Sequence, residues 1–349
     1  NCSDKRIVVN ATALESGGGL SILHQFVANI PNDDRKWLFF VSPIVSVVSA
    51  NPNVRIVPIH GVKSMPKRLW WDAHGLKKWL KKNRIEPTIA ISLQNTGFSV
   101  GKEVPTKIYY HNSIPFFPLS WNPLKKQERR FWFYKNIYPF FVSLFLKRDT
   151  EIFVQLEFIK EGFAKRFNHP KELINVYCPS VTAPKTADVH KTPGKTTQLV
   201  YPALLHFYKN HRVIEDALKL TDADVEVTFT LDQQSHPVSD KRIRMIGLQP
   251  YDYICELYRS CDALLFPSYI ETFGLPLLEA AMTGMPIIAA DLPYAREVLA
   301  GYEGATFVPY NGPKAWAHAI ESVEKGKRFK PINVDSRPGW KQLFETIKY

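Results

Sequence analysis

The chain has 349 residues, 45% of them hydrophobic, 13% aromatic and 22% charged. That is enough for two globular domains of roughly 100 to 200 residues each, and it excludes disordered, collagen-like and coiled-coil classes. The net charge of +12 is uneven: residues 51–150 carry 18 Lys and Arg against 5 Asp and Glu, and the remaining residues carry 27 against 28. A basic zone of this kind attracts nucleic acid, anionic lipid or phosphorylated substrate, and charge alone leaves all three open.

The chain opens Asn-Cys-Ser-Asp-Lys-Arg and enters an apolar run at Ile7. No stretch there fits a signal peptide, so no secretion is expected. Cys2, Cys178, Cys255 and Cys261 lack C-x-x-C spacing. Neither structural zinc nor a disulfide framework is expected, in keeping with a reducing cytosol. No apolar run reaches the roughly 18 residues of a membrane span. The nearest, 131–146, is broken by Lys135 and Pro139.

Residues 6–10 read as a strand, Gly17-Gly18-Gly19 as a loop, and Leu20, Ile22, Leu23, Phe26 and Val27 as the apolar face of a helix. Further strands are predicted at 37–41, 54–57, 89–93, 107–110 and 152–155, with a helix over 68–82. A Pro, Thr and Lys-rich stretch, 178–197, has the composition of a linker. Beyond it strands are expected at 198–201, 225–230, 243–246, 263–266 and 287–290, and helices near 210–220, 251–259 and 276–282. Strands alternating with helices predict parallel sheets covered on both faces, hence α/β architecture with two doubly wound domains. The divisions are 1–177, a linker at 178–197, 198–335, and a terminal helix in 336–349.

In such a sheet, ligands bind outside the carboxyl ends of strands, where loops feed helix N-termini. The segment 263–288 is a complete βαβ unit: an apolar strand, a loop, a helix opening at Pro276, Thr283-Gly284 closing it, and another apolar strand. Glu271 lies in that loop and Glu279 on the following helix. Both carboxylates can accept hydrogen bonds from sugar hydroxyls, and Phe273-Gly274-Leu275 offers backbone N–H groups at a helix start. Lys209, after the strand at 198–201, is a cation at another strand-to-helix loop. A positioned ammonium there can stabilise anionic charge on a ligand. The contiguous glycines lack the G-x-G-x-x-G spacing of dinucleotide-binding proteins.

The sequence Pro-Ser-Tyr-Ile-Glu-Thr-Phe-Gly-Leu-Pro-Leu-Leu-Glu-Ala-Ala-Met-Thr-Gly-Met-Pro-Ile-Ile-Ala at 267–289 resembles the retaining glycosyltransferases of family 4. These are two-domain GT-B enzymes that use nucleotide sugars, here of the bacterial surface-polysaccharide type. The resemblance extends over roughly 198–312, including Gly247-Leu248, Leu257-Tyr258, Asp291 and Glu297-Val298. It implies two Rossmann-like domains with a cleft between them, the first for the acceptor and the second for the donor, and a terminal helix crossing back to the first domain. It also implies that Glu271 contacts the donor sugar, Glu279 the ribose hydroxyls and Lys209 the diphosphate. Gly18, Gly19, Gly247, Leu248, Phe273, Gly274 and Leu275 are further donor-binding candidates. His111, following the strand at 107–110, occupies a position where such enzymes carry a histidine near the sugar. An Arg usual in the family before the Lys is absent; Ala203 stands six residues before Lys209, which weakens the implied diphosphate clamp.

The resemblance implies transfer of a sugar from a GDP- or UDP-linked donor to a saccharide acceptor, lipid-diphosphate-linked, at the cytoplasmic face of the inner membrane, in O-antigen or capsule-like synthesis. No cofactor is expected. No Asp-x-Asp element with a credible metal role occurs, so no essential metal is expected either. Lys77, Lys78, Lys81 and Lys82 around Trp79, and the cationic and aromatic stretch 125–141, suit an anionic membrane surface, although an ordinary core helix with a basic outer face has the same pattern. Two other readings compete: a GT-B nucleotide-sugar 2-epimerase or hydrolase, and a basic nucleic-acid-binding protein. No recognised module supports the latter, and no nucleic-acid partner is expected.

Overall fold

The computed structural model describes residues 4–181 and 194–348, which divide into two units, 1–180 with 337–349 and 181–336. The candidate linker falls largely outside the described residues. Each unit is an α/β sandwich built on one all-parallel sheet.

The first unit runs β1 (Asp4–Ala11), α1 (Gly17–Ala28), β2 (Trp37–Val41), β3 (Val54–Pro58), α2 (Met65–Trp70), α3 (Leu76–Lys82), β4 (Ile85–Ser92), β5 (Thr106–Tyr109), α4 (Arg129–Asn136), α5 (Tyr138–Leu144), β6 (Glu151–Val154), α6 (Glu157–Phe167) and β7 (Ile174–Val176). Its strand order is β3-β2-β1-β4-β5-β6-β7. The central strands β2 and, from Ile7 on, β1 are buried on both faces, as helices on both sides of a parallel sheet require.

Two differences from the sequence-based expectations stand out. The helix predicted over 68–82 is interrupted by a π-helical turn, Trp71–Gly75, between α2 and α3. The three glycines are the first turn of α1 rather than a loop. Ser16 is the extended N-cap residue and Gly17 has φ +63°, which glycine adopts at little steric cost. Glycine is a poor helix former, but buried Ile22, Leu23, Phe26 and Val27 hold the helix to the sheet, so packing overrides propensity.

The second unit runs β8 (Thr197–Tyr201), α7 (His211–Leu218), β9 (Val225–Phe229), β10 (Ile243–Met245), α8 (Tyr251–Ser260), β11 (Ala263–Phe266), α9 (Leu275–Ala281), β12 (Ile287–Ala290), α10 (Pro293–Val298), β13 (Ala305–Val308) and α11 (Pro313–Glu321). The order β10-β9-β8-β11-β12-β13 reverses direction between β8 and β11, which is the doubly wound pattern.

The last helix, α12 (Trp340–Thr346), belongs to the first unit. Trp340, Leu343 and Phe344 enter the core formed by Phe26, Trp37 and Tyr109. Phe344 meets Phe26 edge-on at 4.9 Å between ring centroids, and Trp340 stacks on Tyr109 at 5.6 Å. The Arg35 guanidinium donates to the carbonyls of Phe344 and Ile347 at 3.0 and 2.7 Å, satisfying acceptors at the helix end.

Candidate active site

Where strand order reverses, the two loops leaving the central strands diverge to opposite faces and open a crevice at their carboxyl ends. In the second unit these are the loops after β8 and β11. The first ends in a 3-10 turn, Phe207–Lys209, followed by Asn210 at φ +59°, a left-handed conformation that Asn tolerates better than most residues. The Asn210 amide donates to the carbonyls of Pro267 and Tyr310 at 3.3 and 2.7 Å. The Tyr201 hydroxyl donates to the Lys209 carbonyl at 2.6 Å, and the Tyr269 N–H to the Tyr208 carbonyl at 3.0 Å. A backbone bond and the Asn210 amide therefore tie the two loops together beside the residues of interest.

Lys209 Nζ consequently lies 2.5 Å from Glu271 Oε1, with the two side chains 18% and 15% exposed. The same ammonium lies within 6 Å of the Tyr208 and Phe266 ring centroids, where the negative faces of the rings add to its attraction. A cation and a carboxylate predicted from separate stretches of sequence thus meet at the switch point, both partly exposed.

Glu279 stands on α9, whose start is set by Gly274 at φ +86° as the N-cap residue and Pro276 in the first turn. A Cβ at Gly274 would lie 3.2 Å from the Tyr294 ring and 3.3 Å from the Leu277 side chain. Phe273 is buried and Leu275 is the first helical residue. The Glu279 carboxylate accepts a hydrogen bond on each oxygen, from Tyr251 to Oε1 and from Tyr258 to Oε2, both at 3.1 Å. Burial pushes its pKa above the usual carboxylate range, and the two phenols oppose that rise. Tyr258 is fully buried, whereas Tyr251, at the start of α8, is 47% exposed. Just before α8, Gly247 adopts φ +69° and the Leu248 side chain projects into solvent.

In the first unit His111 follows β5. Its backbone N–H donates to Asn95 Oδ1 at 2.6 Å, and its Nε2 lies 3.0 Å from the Leu93 carbonyl. A carbonyl only accepts, so Nε2 carries the proton in that bond. Burial lowers the imidazole pKa, partly offset by this bond. A Cβ on Gly19 would lie 2.9 Å from Leu14 Cδ2 and 3.3 Å from His111 Cε1, whereas one on Gly18 would meet nothing within 4 Å. Gly19 and His111 are therefore neighbours, and the small residue leaves room for the ring.

The polar partners of two carboxylates escaped the sequence reading, although Leu257-Tyr258 lies in the stretch that carries the family resemblance. Tyr251 and Tyr258 sit seven residues apart on an amphipathic helix, where aromatic spacing reads as a core face; only their hydroxyls mark them as partners of a carboxylate. In the first unit Asp72, in the π-helical turn, is buried, accepts from Asn10 Nδ2 at 2.7 Å and lies 3.3 Å from Gln94 Nε2. Burial raises its pKa to about 7, against the pull of those amides and of Arg68. Asn10 and Gln94 lie at the ends of β1 and β4, the switch point of the first sheet, and a lone acidic residue in a basic helix gave no signal of this.

Residues 232–334 match the family model described as Glycosyl transferases group 1. Among curated proteins, the O-antigen chain mannosyltransferase RfbU of Salmonella typhimurium is 26% identical over 200 residues, covering 55% of this chain and 56% of that protein. The chain thus spans about half the length of that relative, and less of the next ones it matches. A glycosyltransferase structure from Rickettsia africae aligns over 91% of this chain and 87% of its own, with a TM-score of 0.63 at 16% identity. The Anabaena protein HepE, solved in complex with UDP and glucose, aligns over 91% and 89% with a TM-score of 0.59 at 15% identity. The fold is therefore the GT-B type, two parallel-sheet α/β units.

Proposed function

We propose that the protein is a retaining glycosyltransferase that moves a sugar from a nucleoside-diphosphate donor to a saccharide acceptor in surface-polysaccharide synthesis. The observation that carries this reading is the pairing of Lys209 with Glu271 on the two loops at the β8/β11 switch point, on a chain whose segment 232–334 matches the group 1 family model. Lys209 takes the diphosphate, where its charge offsets the negative charge that grows on the leaving oxygen as the sugar–phosphate bond breaks. Glu271 accepts from sugar hydroxyls and Glu279 from ribose hydroxyls, each as a charge-assisted bond. The N–H groups about Phe273, Gly274 and Leu275 and the turn at Gly247 and Leu248 complete the donor subsite. His111, whose pKa burial lowers, serves acceptor or sugar hydroxyls, with Gly19 at the head of α1 beside its ring and Gly18 just before Gly19.

Retention follows from front-face substitution: the acceptor oxygen bonds to the anomeric carbon on the face the phosphate leaves, and a departing phosphate oxygen receives the acceptor's proton. The donor is GDP- or UDP-linked, and neither a cofactor nor an essential metal is part of this scheme. Mannosyl transfer to an O-antigen chain is the reaction class suggested by the name of the relative RfbU.

The acceptor is taken to be lipid-linked and the enzyme peripheral on the inner face of the cytoplasmic membrane. Among the described residues no helix is long and apolar enough to cross a bilayer. Ile137, Phe140 and Leu144, spaced i, i+3, i+7 at and along α5, are all exposed. Between 124 and 148 the chain has seven Lys or Arg and one Glu. An exposed apolar stripe flanked by cations suits an interface of anionic lipid.

The test is product analysis. Purified protein is incubated with GDP-mannose, UDP-glucose or UDP-galactose and membrane lipid extract, and the anomeric configuration of any product is read by NMR. A glycoside of the donor's own configuration supports the reading. Release of free sugar or a 2-epimer in place of any glycoside favours the epimerase or hydrolase instead.

A further inference from the structure

The Glu279 carboxylate has roughly four lone-pair directions, and two of them are occupied by phenols held on one helix face, Tyr251 and Tyr258. Tyr258 is sealed in the core, so its role is confined to fixing the carboxylate. Tyr251 is different. Its hydroxyl reaches the same carboxylate, yet the residue is 47% exposed, and it follows by three positions the solvent-facing Leu248, which is 77% exposed. A ring left half in water while its hydroxyl is committed inward presents a flat apolar surface immediately beside the two free lone pairs of the carboxylate.

We propose that Tyr251 determines the specificity of the nucleoside subsite: its hydroxyl orients Glu279 toward a pair of ribose hydroxyls, and its ring is the wall on which the nucleoside lies. The proposal rests on the donor reading given above for Glu279. Each phenol donates one bond to a different oxygen, which fixes the plane of the carboxylate. Each oxygen then keeps one further acceptor position, enough for a pair of vicinal hydroxyls. Removing the hydroxyl alone lets the carboxylate turn. Removing the ring as well takes away the surface that any nucleoside, with or without its 2′-hydroxyl, rests on.

The probes are UDP, GDP, their 2′-deoxy counterparts and inorganic pyrophosphate, with affinities measured by calorimetry on the full chain and on Tyr251→Phe, Tyr251→Ala and Glu279→Ala. Tyr251 is half-exposed, so these variants are expected to fold, and their melting temperatures are measured alongside. The wild-type protein is expected to bind one ribonucleotide about tenfold more tightly than its deoxy form, the scale of one hydrogen bond to a charged group. Tyr251→Phe should weaken the ribonucleotide about fivefold and leave the deoxynucleotide unchanged, which shrinks that ratio. Tyr251→Ala should weaken both nucleotides, and neither variant should alter pyrophosphate binding.

If Tyr251→Phe and Tyr251→Ala keep the wild-type ratio and affinities while Glu279→Ala abolishes the ratio, the inference about Tyr251 is overturned and the role of Glu279 stands. If Glu279→Ala leaves the ratio intact, the ribose role of Glu279 falls, and the inference with it. A wild-type protein that binds neither ribonucleotide removes the subsite altogether.

Discussion

Lys209 Nζ and Glu271 Oε1 are 2.5 Å apart, joined from two loops 62 residues distant in sequence. In this arrangement the cation assigned to the donor's phosphates is neutralised by the carboxylate assigned to its sugar. On the proposed donor reading, a bound diphosphate would compete for the ammonium and release the carboxylate to hydroxyl partners, so the two side chains would act as a unit. Lys209→Ala and Glu271→Ala are each expected to lower turnover by about 10² or more, the loss typical of one preorganised charge contact. The double variant should be little worse than either alone, because residues acting together give non-additive losses. Steady-state transfer kinetics on the four proteins of this cycle measure the effect, and fully additive losses would contradict it.

The buried Asp72 predicts a pH dependence of stability. Its pKa is raised from 3.8 to about 7 by burial, so the folded protein holds a proton that the unfolded chain releases near pH 4. Stability from this group is full below pH 4 and is lost as pH rises through about 7. Asp72→Asn, which cannot ionise, should flatten the decline between pH 4 and 7 and raise stability at pH 8 by on the order of a few kcal/mol. Denaturant unfolding across that range checks it, and an unchanged slope would count against the raised pKa.

His211 predicts the opposite slope. It is buried against Tyr201 and Phe229, neither ring nitrogen makes a hydrogen bond among the described residues, and burial with the nearby His236 and Lys209 lowers its pKa to about 3. A depressed imidazole pKa means that stability is present above pH 6.5 and is lost as pH falls toward 3. His211→Phe should remove much of that acid limb and leave stability at pH 7.5 the same or higher, since two unsatisfied polar atoms are replaced by apolar surface. Melting temperatures at pH 5 and pH 7.5 distinguish the outcomes.

The membrane reading predicts a division of labour on the first unit. Phe140→Ser with Leu144→Ser removes exposed apolar surface, and Lys77, Lys78, Lys81 and Lys82 to Gln removes four charges on or beside Trp79. Each set should weaken binding to phosphatidylglycerol-containing vesicles by about tenfold or more, since each cation near an anionic leaflet contributes roughly 1 kcal/mol. Turnover on a soluble acceptor should change much less. Co-sedimentation with vesicles is the measurement, and unchanged binding in both variants would remove the membrane from the scheme.

The β11–α9–β12 unit was legible in sequence because its signals are local: a continuous apolar strand, a glycine at the helix cap, a proline in the first turn and a glycine after the last. Glu271 and Lys209 were legible as residues in loops after strands, and Glu279 as one on the helix that follows, for the same reason. That Lys209 touches Glu271 was not, since the contact depends on β8 and β11 being adjacent. Tyr251 and Tyr258 look like core residues at helical spacing, and only tertiary structure shows their hydroxyls on Glu279. The glycine triplet has the look of a loop between a strand and a helix; the packing of Phe26 and its neighbours makes it the first turn of α1. Strand β7 is three residues long and α6 is weakly amphipathic, too little pattern to register.

The most direct test of the central claim is the affinity of wild type and Lys209→Ala for nucleoside mono- and diphosphates. Wild type is expected to favour GDP or UDP over the matching monophosphate by about tenfold or more, and Lys209→Ala to lose that preference while binding the monophosphate nearly as before. A Lys209→Ala protein that retains the full preference for diphosphate would contradict the assignment of this lysine to the leaving group.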